Sequence, residues 1–286
     1  MKKKNRLFLL AIAACLALYF GYRTVDRLKT DKTPPQITFS DESVEVSVQD
    51  PKVALLQGVT ATDNRDGDVS ASVIVERIKL TDPDGSILVK YAAFDSSGNV
   101  VKAERKAKYT DYESPRFSLR APLLFAANSS FDILDVINAT DPLDGNIHHR
   151  VRATSLDGSA VTAAGNHEVE FRVTNSLGDT TRLVLPVEVY TAGAYNMDVK
   201  MTQYLIYLEA GSSFDAYEYL DCVIWNREIV SLRSGIPYNY SVKITGDVDT
   251  GTPGVYTVTY TVTKEHIPGN GQVYTGCSKL IVVVEG

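Results

Sequence analysis

Hydrophobic and polar positions fall into two regimes along this chain. Residues 7–22, LFLLAIAACLALYFGY, run without a charge behind the basic head MKKKNR. Further along, apolar and polar residues alternate over short stretches, the period-two pattern of strands with one buried face. ILVKYAAFDSSGNVVKAERKAKY shows it most clearly: two alternating segments joined by Asp95-Ser96-Ser97-Gly98-Asn99, a hairpin signal. Beyond the amino-terminal run no long amphipathic helix pattern occurs, and enrichment in Val, Thr and Tyr points the same way.

The amino-terminal run predicts a membrane helix. At about 1.5 Å per residue it reaches roughly 24 Å, a little short of the hydrocarbon core. Tyr19, Phe20 and Tyr22 lie where an interfacial aromatic belt would be, and Arg23 closes the run. The expectation is a single-pass segment at residues 7–22, basic head in the cytoplasm and the rest outside the cell. A cleaved secretory signal has the same layout. IAAC, residues 12–15, also looks like a lipobox that would make Cys15 a lipidated terminus. All three readings stay open.

Internal repetition is the next signal. VTATDNRDGDVS returns as INATDPLDGNIH, with Asp63 matching Asp141 and Gly67 matching Gly145, both 78 residues on. YAAFDSSGN returns as FRVTNSLGD, Gly98 matching Gly178 at an offset of 80. A third copy is more diverged: SSFDILDV reappears as SSFDAYEY, and VEFRVTN as VTYTVTK, ending at Lys264. Tyr91, Phe171 and Tyr260 align across the copies as core aromatics of the penultimate strand. Several short strands with turns at close spacing in each copy predict an antiparallel sandwich. The expected class is therefore all-β, three tandem sandwiches after an amino-terminal transmembrane helix. DKTPPQ, DYESPRF and YTAGAYNMD punctuate the chain into a head, anchor and linker over 1–33 and domains over 34–111, 112–191 and 192–286.

The order GVTATDNRDGDVS, then GTPGVYTVTYTVTK, then a closing strand such as CSKLIVVVEG resembles the bacterial immunoglobulin-like domain of many surface proteins, a type also appended to insecticidal crystal toxins. The resemblance covers about residues 34–286. Copy one keeps the acidic loop and the hairpin turn but lacks the TPGTY-like lead; copy three keeps that lead and loses the loop; copy two keeps parts of both. The resemblance implies a non-enzymatic spacer, adhesion or protein-interaction stalk, with a carbohydrate-binding or calcium-dependent accessory module as the alternative.

Composition sharpens this picture. Residues 1–32 hold eight of the 29 Lys+Arg and two of the 35 Asp+Glu, leaving 21 against 33 and a net near −12 for the remainder. That field repels nucleic acid and favours cations or basic surfaces. Of three cysteines, Cys222 and Cys277 could pair in an oxidising exterior.

Candidate chemistry is sparse. Asp63, Asp66 and Asp68, echoed by Asp141 and Asp144, have the close oxygen spacing that calcium uses, although the distal bidentate Glu of a helix-loop-helix site is missing. The competing reading is a turn in which Asp and Asn cap their own backbone. A glycosidase pair is excluded because these acids share one surface turn rather than facing each other across a cleft. His148 and His149 are adjacent and unsuited to chelating one metal. Ten of the 16 tyrosines and Trp225, the only tryptophan, follow Thr191. Trp225, Tyr238, Tyr240 and Tyr274 are therefore candidates for recognising an extracellular protein or glycan, near a hairpin loop lengthened to KEHIPGNGQVYTG. Packing within the sandwich is the competing role for Trp225.

Overall fold

A computed structural model describes residues 2–29, 31–265 and 273–286. Lys2–Lys29 is one α-helix, and the remaining regular elements are strands and short 3-10 turns. The all-β expectation holds for the described residues after the helix. Among the described residues no helix is long and apolar enough to cross a membrane. The expected span thus gains no support from the structure: its 16 apolar residues fall short of the roughly 20 that a bilayer core asks of a helix. The side chains of residues 7 and 9–11 lie outside the described set.

The chain divides into two compact units, Met1–Tyr112 and Glu113–Gly286. In the first, Gln36–Phe39 pairs antiparallel with Val59–Asp63, which turns back as Gly67–Asp68. A second, four-stranded sheet runs Ser43–Val46, Val100–Tyr109, Ser86–Phe94, Ile74–Leu80. Alternation sets its buried face: Ile87, Val89, Tyr91 and Ala93 are almost wholly buried. The Tyr91 hydroxyl donates to Leu55 O at 2.7 Å, anchoring the 3-10 turn Lys52–Leu56 over the core. The predicted hairpin is present, with Phe94 opposite Val100 and Gly98 at φ +85 in its turn.

One expectation needs correction. The sheets are mixed, because each copy's opening segment switches layers midway. Gln36–Phe39 pairs antiparallel in one sheet, while Ser43–Val46 runs parallel to Val100–Tyr109 in the other. Leu124–Ala126 on Thr180–Tyr190 and Leu205–Glu209 on Val273–Glu285 repeat the parallel edge. Strands of three to five residues alternate in the same way whichever direction their partner runs.

In the second unit, Arg116–Leu119, Ile137–Asp141 and Gly145–Asn146 form one sheet, and Arg152–Ser155, Gly165–Thr174, Thr180–Tyr190 and Leu124–Ala126 another. The third copy departs from this two-sheet plan and forms one seven-stranded sheet. Met197–Met201 joins its layers, pairing antiparallel with Leu220–Trp225 and parallel with Val273–Glu285. Gly276 permits the junction: a Cβ there would lie 2.7 Å from Met197 O and 2.8 Å from Val199 Cγ2.

A continuous buried cluster runs from Phe117 to Val284, so residues 113–286 make one compact body across position 191. Phe117 N donates to the Tyr207 hydroxyl at 3.1 Å, and Arg116 pairs with Glu285 at 3.0 Å while its guanidinium lies 4.9 Å from the Tyr207 ring centre. Tyr91, Phe171 and Tyr260 are fully buried on the three penultimate strands, as their alignment predicts.

Candidate functional site

The acidic loops act first as joinery. Asp63 Oδ1 accepts from the backbone N–H groups of Arg65 and Asp66 at 2.8 and 2.9 Å, and Asp141 Oδ1 does the same for Leu143 and Asp144 at 2.8 and 2.7 Å. Each aspartate caps its own turn. The next acid reaches across to the hairpin. Asp66 accepts from Ser96 N and Oγ at 2.6 and 2.9 Å, and Asp144 from Ser176 N and Oγ at 2.6 and 2.7 Å, with Arg150 Nη1 added at 2.7 Å. Burial alone would raise the Asp144 carboxyl, but Ser176 and Arg150 outweigh it and hold the group below the usual carboxylate range. Asp68 Oδ1 is taken by Ser70 N at 2.9 Å. Asp63, Asp66 and Asp68 therefore do not converge as a set, and neither do Asp141 and Asp144.

Asp63 instead meets two acids distant in sequence. Oxygens of Asp31, Asp63 and Asp95 all lie within 4.8 Å of one another. Asp31 comes from the segment entering the first sheet and Asp95 from the start of the hairpin turn. Asp31 Oδ1 accepts from Thr33 N at 2.9 Å, and Asp95 accepts from Asn99 N and Nδ2 at 2.7 and 2.6 Å. Asp31 Oδ2 and Asp63 Oδ2 are shielded from solvent and have no hydrogen-bond partner.

The same corner recurs in the other two copies with different chemistry. Asp95 corresponds to Asn175 and to Lys264, and the strand that ends at Asp63 ends at Asp141 in copy two and at Trp225 in copy three. In copy two, Asn175 Nδ2 donates to Asp141 Oδ2 at 2.8 Å, closing the corner with an amide. In copy three the acidic loop is gone, and Asn226 and Arg227, both at positive φ, make a tight hairpin turn of the type Asn favours.

Three predicted recognition residues gather at that corner. Lys264 stands directly between Tyr240 and Tyr274 in strand register. Its Nζ lies 3.5 Å from the Trp225 ring centre and 5.2 Å from that of Tyr240, and Trp225 meets Tyr274 at 4.9 Å. Lys264 is 8% exposed, so a cation fills the aromatic cluster from within. Sequence reasoning aligned Lys264 with Asn175 without assigning it a role. Tyr238 stands beside the cluster, 89% exposed. A shallow open depression of about 190 Å³ is lined by Tyr238, Asn239, Tyr240, Ser241, Thr263 and Glu265. The Tyr240 hydroxyl is buried without a partner. Residues 266–272 of the lengthened loop lie outside the described residues.

The expected disulfide is absent: Cys222 is a partly buried and Cys277 a buried free thiol. They sit on strands separated by Met197–Met201, with Cys222 opposite Lys200 and Cys277 opposite Asp198. Two strand spacings are roughly 9.5 Å, beyond the reach of about 7 Å between disulfide Cα atoms. His148 Nδ1 contacts Ile137 O at 2.9 Å, while its exposed neighbour His149 lies in the same short 3-10 turn.

No protein-family model matches the chain, and no curated protein does. Among solved structures it is similar to the CBM51-2 and INT domains of Clostridium perfringens ZmpB, solved with GlcNAc, at 16% identity and TM-score 0.22, covering 58% of this chain and 31% of that one. Protocadherin gamma B2 cadherin domains 1-5 match at 12% identity and TM-score 0.20, covering 89% and 60%. The lipoprotein BT2262 of Bacteroides thetaiotaomicron matches at 14% and TM-score 0.19, covering 86% and 98%. The chain thus spans less than two thirds of the first two.

Proposed function

We propose that this chain is a non-enzymatic cell-surface protein of three immunoglobulin-like copies, the first two serving as spacers and the third presenting a recognition surface to an extracellular protein or glycan. The observation that carries the reading is the aromatic end of the third copy. Trp225, Tyr240 and Tyr274 are held in place by strand register around Lys264, and Tyr238 projects beside them over an open depression. Aromatic faces next to hydroxyl, amide and carboxylate groups from Ser241, Thr263, Asn239 and Glu265 suit a sugar ring or a polar protein patch.

Attachment at the membrane through residues 7–22 belongs to the same proposal. Phe8, Leu18, Phe20 and Tyr22 are each more than three-fifths exposed, and an apolar surface distributed around a helix in this way finds its natural cover in lipid. Supporting the non-enzymatic reading, the loop carboxylates that sequence singles out serve as acceptors for turns and hairpins. The test is a glycan array and a panel of extracellular proteins probed with the whole chain and with its Tyr238→Ala variant. Tyr238 is exposed, so the variant keeps its fold. A ligand that loses at least about tenfold in affinity, about 1.4 kcal/mol, supports the reading, within the range that truncating an anchoring interface aromatic costs. Ligands indifferent to Tyr238 would move the recognition surface elsewhere.

A further inference from the structure

We propose that Asp31, Asp63 and Asp95 form a calcium site that fixes the segment entering the first copy, a site independent of the third-copy surface. The acids converge from positions 31, 63 and 95, and their oxygens lie within 4.8 Å of one another. Two oxygens on opposite sides of a calcium ion bound at about 2.4 Å stand about 4.8 Å apart, so one ion reaches all three. The donors are all oxygen, the choice of a hard cation, and calcium accepts irregular carboxylate geometry more readily than magnesium does.

A second observation points to a ligand. Asp63 is 92% buried by its 8% exposure, and its Oδ2, like that of Asp31, has no hydrogen-bond partner. Clustered buried carboxylates repel one another, and an unpaired buried acceptor costs desolvation energy with no return. The other copies show how the corner is otherwise satisfied. Copy two replaces the third acid by Asn175, whose amide donates to Asp141 Oδ2 at 2.8 Å. Copy three places the Lys264 ammonium there, over aromatic rings. Copy one alone retains three acids, and a bound cation supplies the charge that an internal amide or ammonium supplies in its siblings. Occupancy would tie Asp31, just beyond the helix Lys2–Lys29, to the sheet end at Asp63 and the hairpin at Asp95.

The test is calorimetric titration of calcium chloride into the chelator-treated full chain, with melting curves in calcium and in chelator. One saturable site is expected, with a higher melting temperature in calcium. Asp95→Asn, which reproduces Asn175, should weaken binding at least about a hundredfold and abolish the thermal shift, because calcium affinity follows the count of charged ligands. Asp31→Asn should do the same and guards against misfolding of the first variant. Asp68→Asn, at an exposed carboxylate outside the trio, should bind as the parent does. Absence of a saturable site, binding unchanged by Asp95→Asn and Asp31→Asn, loss of binding in Asp68→Asn, or magnesium competing at equal concentration would each overturn the proposal.

Discussion

Asp144→Ala removes a carboxylate that accepts from Ser176 N and Oγ at 2.6 and 2.7 Å and from Arg150 Nη1 at 2.7 Å. Hydrogen bonds to a charged group contribute about 1.5–3 kcal/mol each where they are shielded. Here the Asp144 side chain is 15% exposed and that of Arg150 is 38% exposed, so water recovers part of the loss. The expected destabilisation is about 2–4 kcal/mol. Asp66→Ala offers the comparison: it loses Ser96 alone at an exposed site and should cost about 1–2 kcal/mol. Urea unfolding followed by emission of Trp225 reads the Asp144 variant directly, because both residues lie in the unit Glu113–Gly286. Urea unfolding followed by circular dichroism reads the Asp66 variant. The pH dependence supplies an independent check. A carboxyl lower in the folded than in the unfolded chain contributes stability that is fully present above its unfolded value, near pH 4, and is lost as pH falls through its folded value. The gap between parent and Asp144→Ala should therefore be constant near neutrality and close below about pH 4. A loss under about 0.5 kcal/mol, or a larger effect at Asp66, would refute the loop-to-hairpin staple.

Three other outcomes follow from packing and backbone geometry. Phe171→Ala, at a fully buried ring that meets Phe117 edge-on at 6.5 Å, should cost about 3–5 kcal/mol by urea unfolding. Gly85→Ala should cost more than about 2 kcal/mol by thermal or urea unfolding, because its φ is +90 and a Cβ would lie 2.4 Å from Tyr109 O; Gly98→Ala, at φ +85 with open space around it, should cost only about 1 kcal/mol. Intact mass of the untreated protein should show all three cysteines reduced, and alkylation without denaturant should label Cys222 ahead of buried Cys277; a mass two daltons lower would restore the disulfide.

The strands were legible because alternation writes one buried face directly into the chain. Ser86–Phe94 and Val100–Tyr109, with Asp95 to Asn99 between them, appear where the pattern puts them. The repeat also located the buried aromatics at 91, 171 and 260. The layer switch was not legible, since Ser43–Val46 is four residues long and its alternation does not reveal a parallel neighbour. Nor was the cysteine separation, because the strand between them, Met197–Met201, enters from earlier in the chain. Of the candidate sites, the aromatic group was legible from composition while its central Lys264 was not. The acid trio escaped because local spacing drew attention to Asp66 and Asp68, whereas Asp31 and Asp95 approach Asp63 only through folding. The repeat itself does mark the corner: aligned copies carry Asp95, Asn175 and Lys264 at a single position, a change from anion to amide to cation that a generic turn would not explain.

Intrinsic fluorescence reports whether the third copy's aromatic end is a recognition surface. Trp225 is the only tryptophan, so its emission reports on this corner alone. Titrating the whole chain with a ligand from the array should give a saturable change in that emission, and Tyr238→Ala should shift the midpoint to at least about tenfold higher ligand concentration. Saturable binding by another readout, with Trp225 emission unchanged and Tyr238→Ala without effect, would contradict the account.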